Sequence, residues 1–464
     1  MRNRIQHMNF RLPLIVFTMC SALGLGPIQT TSASEKKPNV VLIMIDTLRA
    51  DLLGCYGSPG DPSPELDTLA EKGVRIETVI GPSNWTRPSI GAMLTSQYPR
   101  TLGLYKERNE ILNDRFTTLA ETLKENGYTT LGVTANPVIN SVFNLHQGFD
   151  EYVDSHVIFS WMKDAPESEQ NRSLRRFKQL PSAPEVFEQA LALLDSKSID
   201  EPVYLQLNLM EIHEAWRPFN SLTRKEFKGR FKGLNGKRYL QALAQVSGDT
   251  SSFIETLRKR PGFENTLFVI TSDHGQGMND HPNVATSSFH GRIIYESQVR
   301  VPQIFYHPNS NLDKAVIDKP IQLLDLLPTL LDYLGLPALR DVEGISFAPL
   351  LKGEKLKEET STEFYAETSY RKYRKIALYS PDWVYIENRD NHKGVNAFEL
   401  QPRDKKSNGK KTDQIDDFPD IAATMRKKLH QWETAHPEEP PTPFSTGLTD
   451  EEIEQLESIG YVGD

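Results

Sequence analysis

The sequence predicts an α/β protein: a large, mostly parallel sheet flanked by helices, with a smaller antiparallel α+β subdomain towards the C-terminus. Three observations carry this. Apolar runs rich in Val and Ile alternate with amphipathic segments from about residue 40 to 333, which is how a parallel sheet covered on both sides is written. Polar residues with chemical potential stand just past the ends of several of these runs. After about Thr362 the apolar runs become short and are separated by turn residues, as in antiparallel strands.

The elements justify this one by one. Residues 40–45, VVLIMI, form an unbroken β-branched and aliphatic run, expected as a strand buried on both faces in mid-sheet. Asp46 follows at its carboxyl end, where open α/β sheets bind ligands, although a turn Asp would look the same. A helix over 64–72 and a strand over 74–80 lead into PSNWTRPSIGAMLTSQYP. Pro82, Ser83, Asn84 and Pro88 break regular structure there, and Ala92, Met93 and Leu94 then supply a helical apolar face. Thr86 lies where loop becomes helix. A hydroxyl at that junction meets the positive end of the helix dipole and suits an anion. Taken alone, it is equally a helix cap.

A helix over 116–126, closed by Gly127, precedes a strand over 128–135 and the pair Asn136-Pro137. Residues 156–184 are polar and irregular, with Arg172, Arg175, Arg176 and Lys178 read as a solvated face. A helix over 185–194 and a strand over 202–210 follow, with Glu211 and His213 at the strand's end. The basic run 224–238 reads as surface or as a substrate-contacting insertion. A helix over 239–257 and a strand over 266–271 deliver Asp273-His274-Gly275. A strand at 301–306 and a helix at 321–333 complete the alternation. Short strands are expected at 375–380, 382–388 and 395–400, then a polar loop, a helix over 419–432 and a Pro-rich acidic tail. The expected organisation is 1–34 as a leader, 35–362 as the α/β domain, 363–433 as the small subdomain and 434–464 as the tail.

The leader is read from Arg2, Arg4 and Arg11, the apolar stretch 12–26 and the small residues Ser32-Ala33-Ser34, which together describe a cleaved secretory signal. The apolar stretch is short for a membrane span, and no second one follows. A periplasmic or secreted location is therefore expected, with no transmembrane span after cleavage. The leader carries three arginines and no acid, so its removal takes the formal net charge from −9 to −12. That excess of acid argues against nucleic acid as a partner. It does not exclude a small anionic substrate, because a metal and a few cations can dominate a pocket. One of the two cysteines, Cys20, lies in the leader, so Cys55 has no intrachain disulfide partner.

Strand ends of a parallel sheet share one edge, so Asp46, Thr86, Glu211 to His213, and Asp273-His274 can converge from far apart in sequence. Asp46, Asp273 and His274 offer two carboxylates and an imidazole, enough for one divalent ion. Beside such an ion a hydroxyl loses its proton more readily and becomes a nucleophile, which gives Thr86 a role without a Ser-His-Asp relay. His213 and His290 are spare imidazoles able to bind oxygens of a transferred group or to protonate a leaving group. Each, taken singly, is equally an ordinary surface or core histidine.

Seven stretches together resemble the sulfatase branch of the alkaline phosphatase superfamily: PNVVLIMIDTLRADLLGCYG, NWTRPSIGAMLTSQYP, NPVINSVFNLHQGFDEY, LMEIHEAWRPF, TLFVITSDHGQ, FHGRIIYESQVRVP and LLDLLPTLLDYLGLP. The terminal IGYVGD is similar to the end of many bacterial members. The resemblance implies that fold, and it places Asp46, Asp273 and His274 on metal-ligand positions. It places Thr86 on the nucleophile, itself a ligand, and His213 and His290 where the transferred or leaving group is held. It sets Asn136 at the pocket wall, a residue that also reads as a plain turn before Pro137.

The departures bear on substrate. The sulfatase pattern CxPSR needs Cys or Ser at position 86 for conversion to formylglycine. Thr86 cannot become that aldehyde, so none is expected, and Ile90 replaces the Arg of the pattern. Cys55 lies in the wrong motif. The paired acids after the first strand are reduced to Asp46-Thr47, and Asp273-His274 replaces the Asp-Asn pair of many sulfatases. An imidazole ligand tilts the ion towards manganese or zinc, with magnesium allowed, whereas an all-oxygen cage would suit calcium. This set resembles the phosphoryl-transfer members with a Thr nucleophile. The leading expectation is cleavage of phosphate esters (diester, monoester or phosphonate) through Thr86, the substrate being a small, glycan-linked or lipid-linked anionic ester. The alternatives are sulfate-ester hydrolysis without formylglycine, and a binding protein that has lost turnover.

Overall fold

The structure is a computed structural model that describes residues 37–105, 110–154, 181–197, 200–213, 236–281, 289–310, 312, 314–356, 360–390, 395–403 and 413–442. The expected leader, the arginines of 172–176 with Lys178, most of the basic run and the end of the tail lie outside the described residues.

Nine strands build the main sheet: β1 (Asn39–Ile45), β2 (Val74–Ile80), β3 (Thr129–Thr134), β4 (Glu151–Val153), β5 (Val203–Leu209), β6 (Thr266–Thr271), β7 (Arg300–Tyr306), β8 (Ala315–Ile317) and β9 (Ile321–Gln322). Their order is β4-β3-β5-β1-β6-β7-β2-β8, with β9 alongside β2. The expected central strand is central: β1 pairs in parallel with β5 on one side and β6 on the other. Each of its residues is fully buried or nearly so, and they alternate between two cores. Val40, Leu42 and Met44 join the cluster on one face, and Val41, Ile43 and Ile45 join that on the other. Only β7 runs against its neighbours β6 and β2, so the sheet is mostly parallel, as expected.

A second sheet follows, β10 (Phe364–Thr368), β11 (Lys375–Tyr379), β12 (Trp383–Asn388) and β13 (Phe398–Pro402), antiparallel throughout. Its β11 is buried along its whole length because both faces are covered. Ala377 and Tyr379 pack with Ile80, Ile293, Ile294 and Val299, which ties this sheet to the main body. Ile376 and Leu378 share a cluster with Met425, Leu429 and Trp432 of the helix Pro419–Ala435. The segment Ile293–Val299 is therefore wedged between sheets, a few residues after His290.

Several boundaries move. The helix expected over 116–126 spans Leu119–Glu125, because Thr118 and Glu121 close a reciprocal capping box. The helix expected from 321 begins at Leu326, since Ile321 and Gln322 pair with β2 first. The strand expected at 395–400 is shifted to Phe398–Pro402. β10 was not anticipated at all.

Candidate functional site

The carboxyl ends of β1, β3, β5 and β6 open on one edge, and the chain of β2 turns there into the helix Thr86–Thr95. Thr86 is thus the first residue of a helix. Its amide neighbour Ser89 N–H lies 3.5 Å from Trp85 O, so that donor is committed to the helix and not to a ligand.

Asp46, Asp273 and His274 come together: one ligand atom from each lies within 4.8 Å of the others, and all three side chains are fully buried. Asp273 Oδ1 accepts from the backbone N–H of Thr47 (3.3 Å) and of His274 (2.8 Å), which leaves Asp273 Oδ2 without a partner. Thr47 makes this reach from the left-handed region, φ 59°, a strained setting for a β-branched residue. Asp46 Oδ2 accepts from Asn136 Nδ2 at 2.6 Å, and Asp46 Oδ1 is buried and unpartnered. His274 Nδ1 lies 2.8 Å from Gly275 O, which makes Nδ1 the protonated nitrogen and leaves Nε2 bare towards the cluster. Two unpartnered buried carboxylate oxygens and a bare imidazole nitrogen fit a divalent cation. Among the described residues, no other group of His, Cys, Asp or Glu has such spacing.

Electrostatics agree with the need for a cation. Burial first, then the charge of Asp273, pushes the Asp46 carboxyl up to about 6, against the pull of His213, His274 and Asn136. Thr86 Oγ1 stands 3.2 Å from His274 Nε2 and 3.5 Å from Asp46 Oδ2. The His290 ring centroid is 4.7 Å from that of His274, and His213 is 5.1 Å from His290. All seven residues singled out in the sequence, Asp46, Thr86, Asn136, His213, Asp273, His274 and His290, therefore meet.

The end of β5 splits. His213 enters the site, but Glu211 turns to the backbone N–H of Ala183 at the start of the helix Ala183–Asp195. His281, another spare imidazole, packs edge-on against Tyr295.

The chain matches the sulfatase family over residues 38–336. It is a member of the sulfatase family. A second match, to the C-terminal part of N-sulphoglucosamine sulphohydrolases, spans residues 286–434 and so includes the second sheet. Members of this family of hydrolases use a divalent metal, in keeping with the Asp-Asp-His cluster. The chain is similar to a Δ4,5-hexuronate-2-O-sulfatase of Bacteroides thetaiotaomicron, at 24% identity with 75% of this chain and 79% of the relative covered. In fold it is similar to a protein solved in complex with its substrate D-glucosamine-2-N,6-O-disulfate, with TM-score 0.67, 16% identity and 88% and 99% of the two chains covered. It is equally similar in fold to a phosphonate monoester hydrolase from Silicibacter pomeroyi, with TM-score 0.66, 17% identity and 87% and 96% covered.

Within this sulfatase-family frame, the departures at the loop around Thr86 have structural consequences. Ile90 is fully buried in the core, so the position is a packing position here. Arg87 does not take over the missing cation. Its guanidinium lies 3.6 Å from the Phe143 ring centroid and donates to Val138 O and Glu110 O, away from Thr86. Sequence reasoning missed three participants. Gln276 Oε1 accepts from His290 Nδ1 at 2.9 Å and so orients that ring. Arg49, paired with Asp51 and Asp280, donates to Gln276 O and fixes the loop that carries it. Trp85, beside Thr86, has a buried indole N–H without an acceptor and leans on Tyr370, ring centroids 5.6 Å apart. Gln276 follows Asp273-His274-Gly275 directly and could have been suspected; Tyr370 comes from the other sheet and carries no local signal.

Proposed function

We propose that this sulfatase-family hydrolase cleaves phosphate esters, phosphodiester, phosphomonoester or phosphonate, with Thr86 as nucleophile. The observation that carries the reading is the Thr86 hydroxyl held 3.2 Å from His274 Nε2 and 3.5 Å from Asp46 Oδ2, where a formylglycine would otherwise be required. Asp46, Asp273 and His274, with Thr86 Oγ1, would hold one divalent cation, manganese, zinc or magnesium before calcium. When bound, that ion offsets the buried carboxylates and makes the Thr86 hydroxyl more acidic.

The chain's own residues then divide the work. Thr86 Oγ1 gives up its proton to solvent and forms the new bond to phosphorus as the bond to the leaving oxygen breaks, and the leaving alcohol takes a proton from His213 or His290 in its protonated form. Gln276 holds His290 with Nδ1 protonated, which leaves Nε2 for the substrate side. Asn136 keeps Asp46 aligned. Water, or an acceptor alcohol, then releases phosphate from Thr86 and returns its hydroxyl. Residues 1–34 support export, so the reaction is placed in the periplasm or outside the cell.

A second reading is sulfate-ester hydrolysis without formylglycine. It is favoured by the matched relatives named as sulfatases. A sulfate monoester carries one negative charge where a phosphate monoester can carry two, so a cationic centre without formylglycine favours phosphate.

The test is turnover of paired aryl phosphate, phosphodiester, phosphonate and sulfate esters with added metals, together with intact-protein mass after brief reaction. Phosphate release and a phosphate adduct on Thr86 are expected. Thr86→Ala should lose several powers of ten in kcat while keeping fold and ion, and Thr86→Ser should keep part of the activity. Normal turnover by Thr86→Ala overturns the mechanism. Sulfate release alone selects the second reading, and no turnover of any ester by the wild type selects a binding protein.

A further inference from the structure

The turn between β10 and β11, residues 369–374, reads Ser-Tyr-Arg-Lys-Tyr-Arg in a chain of formal net charge −9. It is held against the candidate site from two sides. Glu367 N–H donates to Pro82 O and Ser83 Oγ donates to Glu367 O, which ties β10 to the loop ahead of Thr86. Thr368 Oγ1 donates to Gly291 O, which ties it to the residue after His290. Gly291 sits at φ 79°, and a Cβ there would lie 2.7 Å from the Tyr370 ring, so only glycine lets the two segments close. Tyr370 therefore stands beside both site loops, its ring 6.4 Å from His290 and 5.6 Å from Trp85.

The cations next to Tyr370 are uncommitted. Arg371 and Lys372 are exposed, and among the described residues neither they nor the nearby Arg292 form an ion pair. They lie over aromatic rings instead: Arg371 is 5.6 Å from Tyr370, Lys372 is 5.9 Å from Tyr373, and Arg292 is 4.8 Å from Phe289 and 5.8 Å from Tyr373. Arg374, by contrast, reaches Glu438 at 3.7 Å. An aromatic face orients a cation without neutralising it, so the charge remains available. Three such charges beside the two site loops, on an otherwise acidic protein, create a local positive potential that collects anions.

We propose that Arg292, Arg371 and Lys372 form a second anion subsite. The substrate then carries a further negative group, carboxylate, phosphate or sulfate, on its leaving-group part, and this rim receives it while the scissile ester lies at Thr86. The proposal rests on the ester-cleaving reading and adds a preference for esters with two anionic groups over those with one.

The test uses the full metal-loaded protein and two matched pairs: glucose 6-phosphate against glucose 1,6-bisphosphate, and glucosamine 6-O-sulfate against glucosamine 2-N,6-O-disulfate. In the wild type, KM for the member of the cleaved pair with two anionic groups is expected to be about tenfold lower, and to rise towards the other with added salt. In Arg371→Asn combined with Lys372→Ala the ratio of the two KM values should collapse towards one. Asn is chosen because Arg371 sits at φ 56°, which Asn tolerates. Arg371→Lys should retain the ratio. A wild-type ratio of one, or a ratio preserved in the double variant, overturns the subsite. If no ester is cleaved, calorimetric binding of the four compounds reads the same point. Weaker binding of the members with two anionic groups to the double variant than to the wild type upholds the subsite while the ester-cleaving reading fails, and equal binding overturns it.

Discussion

Asp273 shows how the proposed ion site is prepared at a single residue. Two backbone N–H groups fix Oδ1, one of them from the strained Thr47, and Oδ2 is left bare beside the bare nitrogen of His274. Asp273→Asn replaces a charged ligand atom by a neutral amide, so the purified variant should fall well below one ion per chain by elemental analysis; full occupancy would remove Asp273 from the ligand set. Asn136 acts one step behind, through its 2.6 Å bond to Asp46. Removing such a supporting bond typically costs about 10- to 100-fold in ion affinity, and that loss is expected of Asn136→Ala in a chelator competition titration. Much of this was readable beforehand, because strand-end position and residue type name Asp46, Asp273 and His274 without coordinates. What sequence could not tell is direction. Glu211 and His213 are two residues apart at one strand end, and only His213 turns into the site. Asn136 looked equally like a turn residue, and it does cap one: its Oδ1 accepts from Val138 N–H while its Nδ2 serves Asp46.

At the level of elements, runs buried on both faces were legible and short or composite ones were not. β1 and β6 announce themselves as short apolar runs that fit a mid-sheet strand, and β5 by the alternation of Val203, Leu205, Leu207 and Leu209 with Tyr204, Gln206 and Asn208. Phe364–Thr368 offers no such run, and its place as β10 follows from pairing with β11. The expected helix from 321 is divided because Ile321 and Gln322 pair with β2, after which Asp325 accepts from Gln322 N–H and a helix can start. The second sheet depends on the helix Pro419–Ala435, and that helix on Trp432. Trp432 stacks on Tyr365 with centroids 4.4 Å apart and rings inclined by 6°, and Arg100 lies 4.8 Å from it. Trp432→Ala should cost roughly 3–5 kcal/mol, the usual range for emptying a buried aromatic site. Hydrogen exchange should then quicken in β10–β13 more than in β1, β5 and β6; a uniform effect would mean the two sheets unfold as one.

On the scale of the whole molecule, pH should act through buried acids distant from the metal cluster as well as through the cluster itself. Asp325 is fully buried between the Gln322 and Ile345 amides, and burial outweighs those bonds and pushes its carboxyl up to about 7. In the unfolded chain the same group titrates at about 3.8. Between those values the folded state holds a proton that the unfolded state has released, so stability is greatest below the lower value and falls as pH rises through the window. A separation of about three units corresponds to a few kcal/mol, on the order of 4 if it were fully expressed. Asp325→Asn cannot ionise. Its side-chain oxygen can still accept one of the two amides, so the variant should be weaker than wild type at pH 5 through the one lost bond. Its stability should change less between pH 5 and 7.5, and the difference between the two proteins should narrow across that interval or reverse. Urea unfolding at both pH values, at fixed metal concentration, reads this directly, because every other ionisable group is common to the two proteins and cancels in the comparison. Parallel pH profiles would show that Asp325 does not titrate in that range in the folded protein.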